Sequence, residues 1–386
     1  MPNPIGSTTA RKLPSPTSPT YLAIEATDLV KTYATGRGKP PVQALDGLSL
    51  TVRQGEVFGL LGPNGAGKST TVKILSTLTR PDDGRAVVAG HDVSSDPDAV
   101  RRAIGLISQK SSSAPMMTGR ESVLLAARIH GMSRSEARSR ATELLDRFEL
   151  TDAADRLTKT YSGGMLRKLD IAVGLVARPT VLFLDEPTTG LDPEARAQMW
   201  DEIARLAAVE QLTVLLTTHY LDEADHLADR LAIVDHGRLV VEGTPDELKG
   251  RLNGDGVVVE VVDQTTATVA AERLSHLDGL NDVTHEGRVV RARTRSASGV
   301  IPSVLASLDQ AGVEVDSATV SRPSLDDVYL HYAGRTFEVE AEPRGYRTKF
   351  GVLEVEPRGY RTKSGVLEVE PRGYRTKSGV LEGADR

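Results

Sequence analysis

The chain has 386 residues, which at roughly 100–200 residues per domain implies two or three domains. Apolar residues make up 39% and charged residues 26%, an ordinary folded composition, and the net charge of −6 argues against nucleic acid as the main partner. The absence of cysteine excludes disulfides, thiolate metal sites and cysteine nucleophiles, and no apolar stretch approaches the roughly 18 residues of a membrane span.

Residues 1–20 are rich in Pro, Ser and Thr and have no apolar core of the kind a secretion signal needs. They read as disordered, in a cytosolic chain that does not itself cross a membrane. From 21 to about 250, apolar strands alternate with helical patterns, which predicts an α/β domain. Strands are expected at Leu22–Thr27, Leu48–Arg53, Val57–Leu61, Ala103–Ile107, Val181–Leu184, Val214–Thr217 and Leu231–Asp235. Between Thr118 and Arg178 a 3.6-residue periodicity takes over, the mark of a helical insert.

Residues 251–335 carry a pattern of their own. It runs strand (Gly256–Val262), helix (Ala267–Leu277), strand pair (Val283–Thr294), helix (Gly299–Ala311) and strand (Val313–Val320). A final helix begins at Ser324, whose spacing to Asp327 resembles a capping box, and is expected to pack on its own small α+β domain. The tail, 336–386, repeats EPRGYRTK-x-GVLE from Glu342, Glu356 and Glu370, a period of 14. One Pro and two Gly per unit break any helix, and too few apolar residues remain for a core, so disorder is expected.

Gly62-Pro63-Asn64-Gly65-Ala66-Gly67-Lys68-Ser69 fits the phosphate-loop pattern G-x-x-x-x-G-K-[ST] between an apolar strand and a helical pattern. Its glycines let backbone N–H groups approach phosphate, Lys68 adds a cation, and Ser69 is placed to ligate magnesium. Val181–Leu184 followed by Asp185 and Glu186 is by itself only a buried strand meeting a loop. Beside a phosphate loop, Asp185 becomes the expected magnesium partner at a strand's C-terminal end, and Glu186 a candidate general base. Tyr161-Ser162-Gly163-Gly164-Met165 opens a helix with small residues and free N–H groups, a second anion site. Two such sites in one chain suggest a nucleotide clamped between two subunits.

At this point residues 21–250 resemble the ATP-binding-cassette (ABC) transporter ATPases, a P-loop NTPase fold with a helical subdomain. The family signature is Leu-Ser-Gly-Gly-Gln; Tyr161 and Met165 depart from it at the two ends, as in drug-resistance exporters. The resemblance implies that Gly62 to Ser69 with Thr70, and Ser162, Gly163 and Gly164 of a second subunit, hold ATP. It further implies that Tyr33 stacks on adenine, Gln109 touches magnesium and the attacking water, and Asp192 belongs to a loop crossing the dimer interface. His219, after the Val214–Thr217 strand, resembles the switch histidine at the γ-phosphate. Ser324 to Gly334 resembles the C-terminal motif of the daunorubicin-resistance family, with Tyr329 where Phe is usual.

The expected activity is therefore ATP hydrolysis with ATP and Mg²⁺, by a homodimer docked on a separate integral-membrane permease dimer of the ABC-2 type. Glu186, His219 and Gln109 would be catalytic, and Ser69, Gln109 and Asp185 would hold the metal. A chromosome-organising ATPase would place a long coiled coil between the phosphate loop and the signature, and a ribosome-acting protein would carry two cassettes. Neither fits this chain.

Overall fold

The computed structural model describes residues 21–34, 40–109, 113–252, 254–294 and 299–333, together with four short tail strands. The expected disorder of 1–20 lies outside the described residues. The chain opens with β1 (Leu22–Tyr33), β2 (Val42–Arg53) and β3 (Val57–Leu61). After α1 (Lys68–Leu75) come β4 (Asp83–Val88), β5 (His91–Asp92), α2 (Pro97–Ala103) and β6 (Ile104–Ile107). The helical insert is α3 (Gly119–Ile129), α4 (Arg134–Arg147) and α5 (Gly163–Gly174). Then follow β7 (Val181–Asp185), α6 (Pro193–Glu210), β8 (Thr213–Thr218), α7 (Leu221–Leu227), β9 (Arg230–Asp235), β10 (Arg238–Gly243) and α8 (Pro245–Arg251).

Two sheets enclose the phosphate-loop helix. One is antiparallel, in the order β2-β1-β4-β5; the other runs β10-β9-β3-β8-β7-β6 and is parallel apart from its β10 edge. Strands covered on both faces read as unbroken apolar runs, and β3 (VFGLL) is buried at every position. Val72, Ile74 and Leu75 of α1 pack between Phe58 and Leu60 of β3 and Ile24, Leu48 and Val88 of the antiparallel sheet. The insert's helices start where the sequence caps them. Thr118 with Glu121, and Ser133 with Glu136, form complete capping boxes at α3 and α4.

The accessory part contains β11 (Asp255–Val261), α9 (Ala267–Ser275), β12 (Leu280–Glu286), β13 (Val289–Thr294), α10 (Val300–Gln310), β14 (Val315–Ser321) and α11 (Leu325–Ala333). Its antiparallel sheet, β12-β13-β11-β14, follows a β-α-β-β-α-β chain order, the ferredoxin-like arrangement. α9 and α10 cover one face through Ala270, Leu274, Val304 and Leu308.

α11 departs from expectation. Ser324 and Asp327 do cap it, with Ser324 N donating to Asp327 Oδ2 at 2.9 Å and Asp327 N donating to Ser324 Oγ at 3.2 Å. Its apolar residues Leu325, Val328 and Tyr329, however, are buried among Leu61, Leu221, Ala224, Leu248 and Leu252 of the cassette. Another side of it faces the accessory sheet, where Asp327 meets Arg293 at 3.3 Å. In the tail the expected disorder gives way, within the described residues, to two short antiparallel pairs. Tyr346–Thr348 pairs with Gly351–Leu353, and Arg375–Thr376 pairs with Gly379–Val380, the same segment of two repeat copies.

Candidate active site

Four neighbouring parallel strands deliver side chains at their C-terminal ends, the place where open α/β sheets bind ligands. β3 leads into the phosphate loop, β6 into Gln109, β7 into Asp185 and Glu186, and β8 into His219. The loop depends on its glycines. Gly65 and Gly67 have φ of 82° and 107°, and a Cβ on Gly67 would stand 2.6 Å from the Ala44 carbonyl oxygen. A cavity of about 430 Å³ is lined by Tyr33, the loop residues Pro63 to Thr70, Gln109 and Glu186. The sequence-predicted adenine, phosphate and catalytic residues thus meet in one place.

Within it, Lys68 is 4% exposed; its Nζ donates to the Gly62 carbonyl at 2.6 Å and lies 3.6 Å from Glu186 Oε1. Burial pushes the Lys68 ammonium below its usual range, partly offset by the negative charges of Glu186 and Asp185. Gln109 Nε2 donates to Glu186 Oε2 at 2.9 Å, and His219 Nδ1 stands 3.3 Å from the same oxygen. Burial acts to raise the Glu186 pKa, but His219, Lys68 and Thr189 outweigh it and hold the carboxyl below its usual range. Glu186 is therefore an anion at neutral pH. Its backbone is left-handed (φ 49°), a costly conformation for a side chain, which the Thr217 carbonyl helps to hold by accepting from Glu186 N at 3.1 Å.

Ser69 Oγ donates to Asp185 Oδ1 at 3.0 Å, and Thr217 Oγ1 donates to the same oxygen at 2.6 Å. These hard oxygen ligands, one carboxylate among them, fit magnesium, which typically takes one or two carboxylates and completes its shell with phosphate and water. Among the described residues, no group of three or more His, Cys, Asp or Glu is placed to hold a metal ion by itself.

The second group of predicted residues lies apart. Ser162, Gly163, Gly164 and Asp192 line a separate concavity of about 260 Å³ with Gly190 and Leu191. Ser162 caps α5, accepting from Met165 N at 3.3 Å, and Asp192 caps α6, accepting from Ala195 N at 2.8 Å. The departure Tyr161 is structural. Its ring is buried and its hydroxyl donates to the Ala153 carbonyl at 2.7 Å.

Residues 45–189 match the ABC transporter family model, and 243–333 match that of the DrrA1-3-like ATP-binding protein C-terminal domain. The daunorubicin/doxorubicin resistance ATP-binding protein DrrA of Streptomyces peucetius is 48% identical over 320 residues, covering 82% of this chain and 94% of that protein. The chain belongs to this family of ABC transporter ATP-binding proteins. It binds and hydrolyses ATP. A doxorubicin resistance ATP-binding protein of Mycobacterium tuberculosis is 45% identical over 318 residues, 80% of this chain and 93% of the other. Among solved structures, an ATP-binding cassette bound to ADP and Pi in a post-hydrolysis dimer is 28% identical with a TM-score of 0.52, covering 57% of this chain and 98% of that one. Among the described residues, no helix is long and apolar enough to cross a membrane.

Two supports went unseen in the sequence. Thr217, which bonds Asp185, looked like the end of an apolar strand. Arg167, buried in α5, donates to the Ser108 carbonyl at 2.9 Å and to that of Gln109, tying the signature helix to the glutamine loop. A basic residue inside an otherwise apolar helical stripe was the available signal.

Proposed function

We propose that two copies of the chain sandwich two MgATP, each between the phosphate loop of one and the Ser162–Gly164 segment of the other, to power export through a separate membrane permease. The observation that carries this reading is the division of the nucleotide residues between two concavities of one chain. Ser69, Asp185 and Gln109 hold the magnesium, which neutralises charge on the phosphates. Tyr33 stacks on adenine, and Lys68 with the loop N–H groups takes the γ-phosphate charge. Glu186 orients a water and accepts its proton as the water oxygen bonds to phosphorus and the bond to ADP breaks; His219 steadies the γ-phosphate.

The cargo that fits best is a hydrophobic drug or antibiotic. In support, the DrrA-like match extends through the accessory region, and relatives aligned over about four fifths of this chain are named for daunorubicin, doxorubicin or linearmycin resistance. The alternative is the same ATPase role for a lipid, polysaccharide or ion. A Nod factor export ATP-binding protein of Burkholderia thailandensis is 46% identical, but over only 53% of this chain. The permease, of the ABC-2 type and also dimeric, would dock near Gln109 and the helical insert, holding the ATPase on the cytoplasmic face of the membrane.

Glu186→Gln tests the reading. ATP binding is expected to survive while turnover falls about a thousandfold, roughly 4 kcal/mol of barrier. Size exclusion with MgATP is expected to show an accumulated dimer; a monomer with near-normal turnover would remove Glu186 from the base role.

A further inference from the structure

Glu223 is fully buried in the first turn of α7, four residues beyond His219, and nothing in the reaction described above uses it. An acid in a helix's first turn ordinarily serves the helix's own N–H groups. This carboxylate points elsewhere. Its Oε1 accepts from Thr188 Oγ1 at 2.8 Å and from Trp200 Nε1 at 3.1 Å, and the hydroxyl of Thr218, next to His219, also acts on the carboxyl, while Oε2 is buried outside hydrogen-bond geometry. Leaving such an oxygen unmatched costs about 1–3 kcal/mol, which an apolar side chain would avoid.

What a carboxyl does there, and a leucine could not, is join elements at hydrogen-bond length. Thr188 is two residues past Glu186 and four before Asp192, in the segment between the catalytic carboxylate and the crossing loop. Trp200 is on α6, the helix that Asp192 caps. The same helix reaches the switch histidine by a second route. The Arg196 guanidinium sits 4.3 Å from the Tyr220 ring, whose centroid is 4.2 Å from that of His219.

We propose that Glu223 is a positioning residue of the ATPase: it ties Thr188 and α6 to α7 and so sets the distance between Glu186 and His219 as the crossing loop moves. The proposal rests on the roles given to Glu186 and His219 above. Burial raises the Glu223 pKa, against the opposing pull of the Thr218 and Thr188 hydroxyls, the Trp200 indole and Arg196. Glutamine has the same shape and keeps an oxygen that can accept from Thr188 and Trp200.

The test combines steady-state ATPase kinetics with the emission of Trp200, the chain's 1 tryptophan, which also stacks on His226 at 5.2 Å. Glu223→Ala and Thr188→Val are each expected to lower kcat at least tenfold with KM for ATP within twofold. Glu223→Gln is expected to stay within twofold of wild type in both. MgATP is expected to shift Trp200 emission in wild type and Glu223→Gln, and not in the other two variants. Thr188→Val keeps the test open should Glu223→Ala fail to fold. Wild-type kcat in Thr188→Val or Glu223→Ala would overturn the proposal, as would Glu223→Gln falling with the alanine variant. Glu186→Gln, assayed alongside, separates the two ideas: its retained turnover would remove the base assignment, whatever the Glu223 variants show.

Discussion

Tyr33 illustrates how far a single residue can be read. In the sequence it is one strand-end tyrosine that only the family resemblance sets against adenine, and the fold puts it in one cavity with Pro63, Gly65 and Thr70. A ring that stacks on a base contributes through its π face, not through its hydroxyl. Tyr33→Phe should therefore bind ATP as wild type does. Tyr33→Ala should weaken binding by about 1–3 kcal/mol, the usual worth of one base–aromatic stack. Turnover at saturating ATP should hardly change, because a ring stacked on the base makes no contact with the reacting phosphate. Equilibrium titration with a fluorescent ATP analogue reads the first effect and ATPase assays the second; equal affinity in all three proteins would send Tyr33 back to a packing role.

At the scale of elements, what could be read depended on whether burial leaves a mark in the local pattern. β3, β7 and β8 are covered on both faces, so each read as an apolar run that stops where the site begins. β4 and β10 went unseen because their leading residues, Asp83 to Arg85 and Arg238 with Leu239, are exposed. β1 runs past its expected end because Asp28, at φ 48°, sits in a register shift that interrupts the alternation. The phosphate loop was legible because its pattern needs fixed residue types at fixed spacing, Asp185 and Glu186 stood out beside it, and His219 was reached only through the family resemblance. The partner of α11 was not legible, since periodicity shows that a face is buried and not what covers it. That partner has a consequence: Tyr329 fills space between α7 and α8, directly behind the strand that enters the phosphate loop. Tyr329→Ala should cost about 3–5 kcal/mol, as for other large aromatic truncations in cores. Because the lost contact is with the cassette, ATPase activity and the unfolding transition should decline together in urea. An accessory region that melts early while ATPase persists would show α11 to be a passenger.

The whole molecule carries one phosphate loop and one Ser162–Gly164 segment, on separate concavities, so in the proposed sandwich the reaction site is completed only by association. This arrangement makes two individually dead chains useful to each other. In a heterodimer of Lys68→Ala with Ser162→Arg, one composite site takes both defects and the other takes neither. The intact site uses the loop of the Ser162→Arg chain and the signature of the Lys68→Ala chain. Random pairing in an equal mixture makes about half the dimers mixed, each with one working site of two, so about a quarter of wild-type turnover should return if the sites act independently. Less than that would mean that the two sites must fire together. Were the loop and signature of a single chain to form the site, mixing would restore nothing, even where differently tagged chains co-purify as heterodimers.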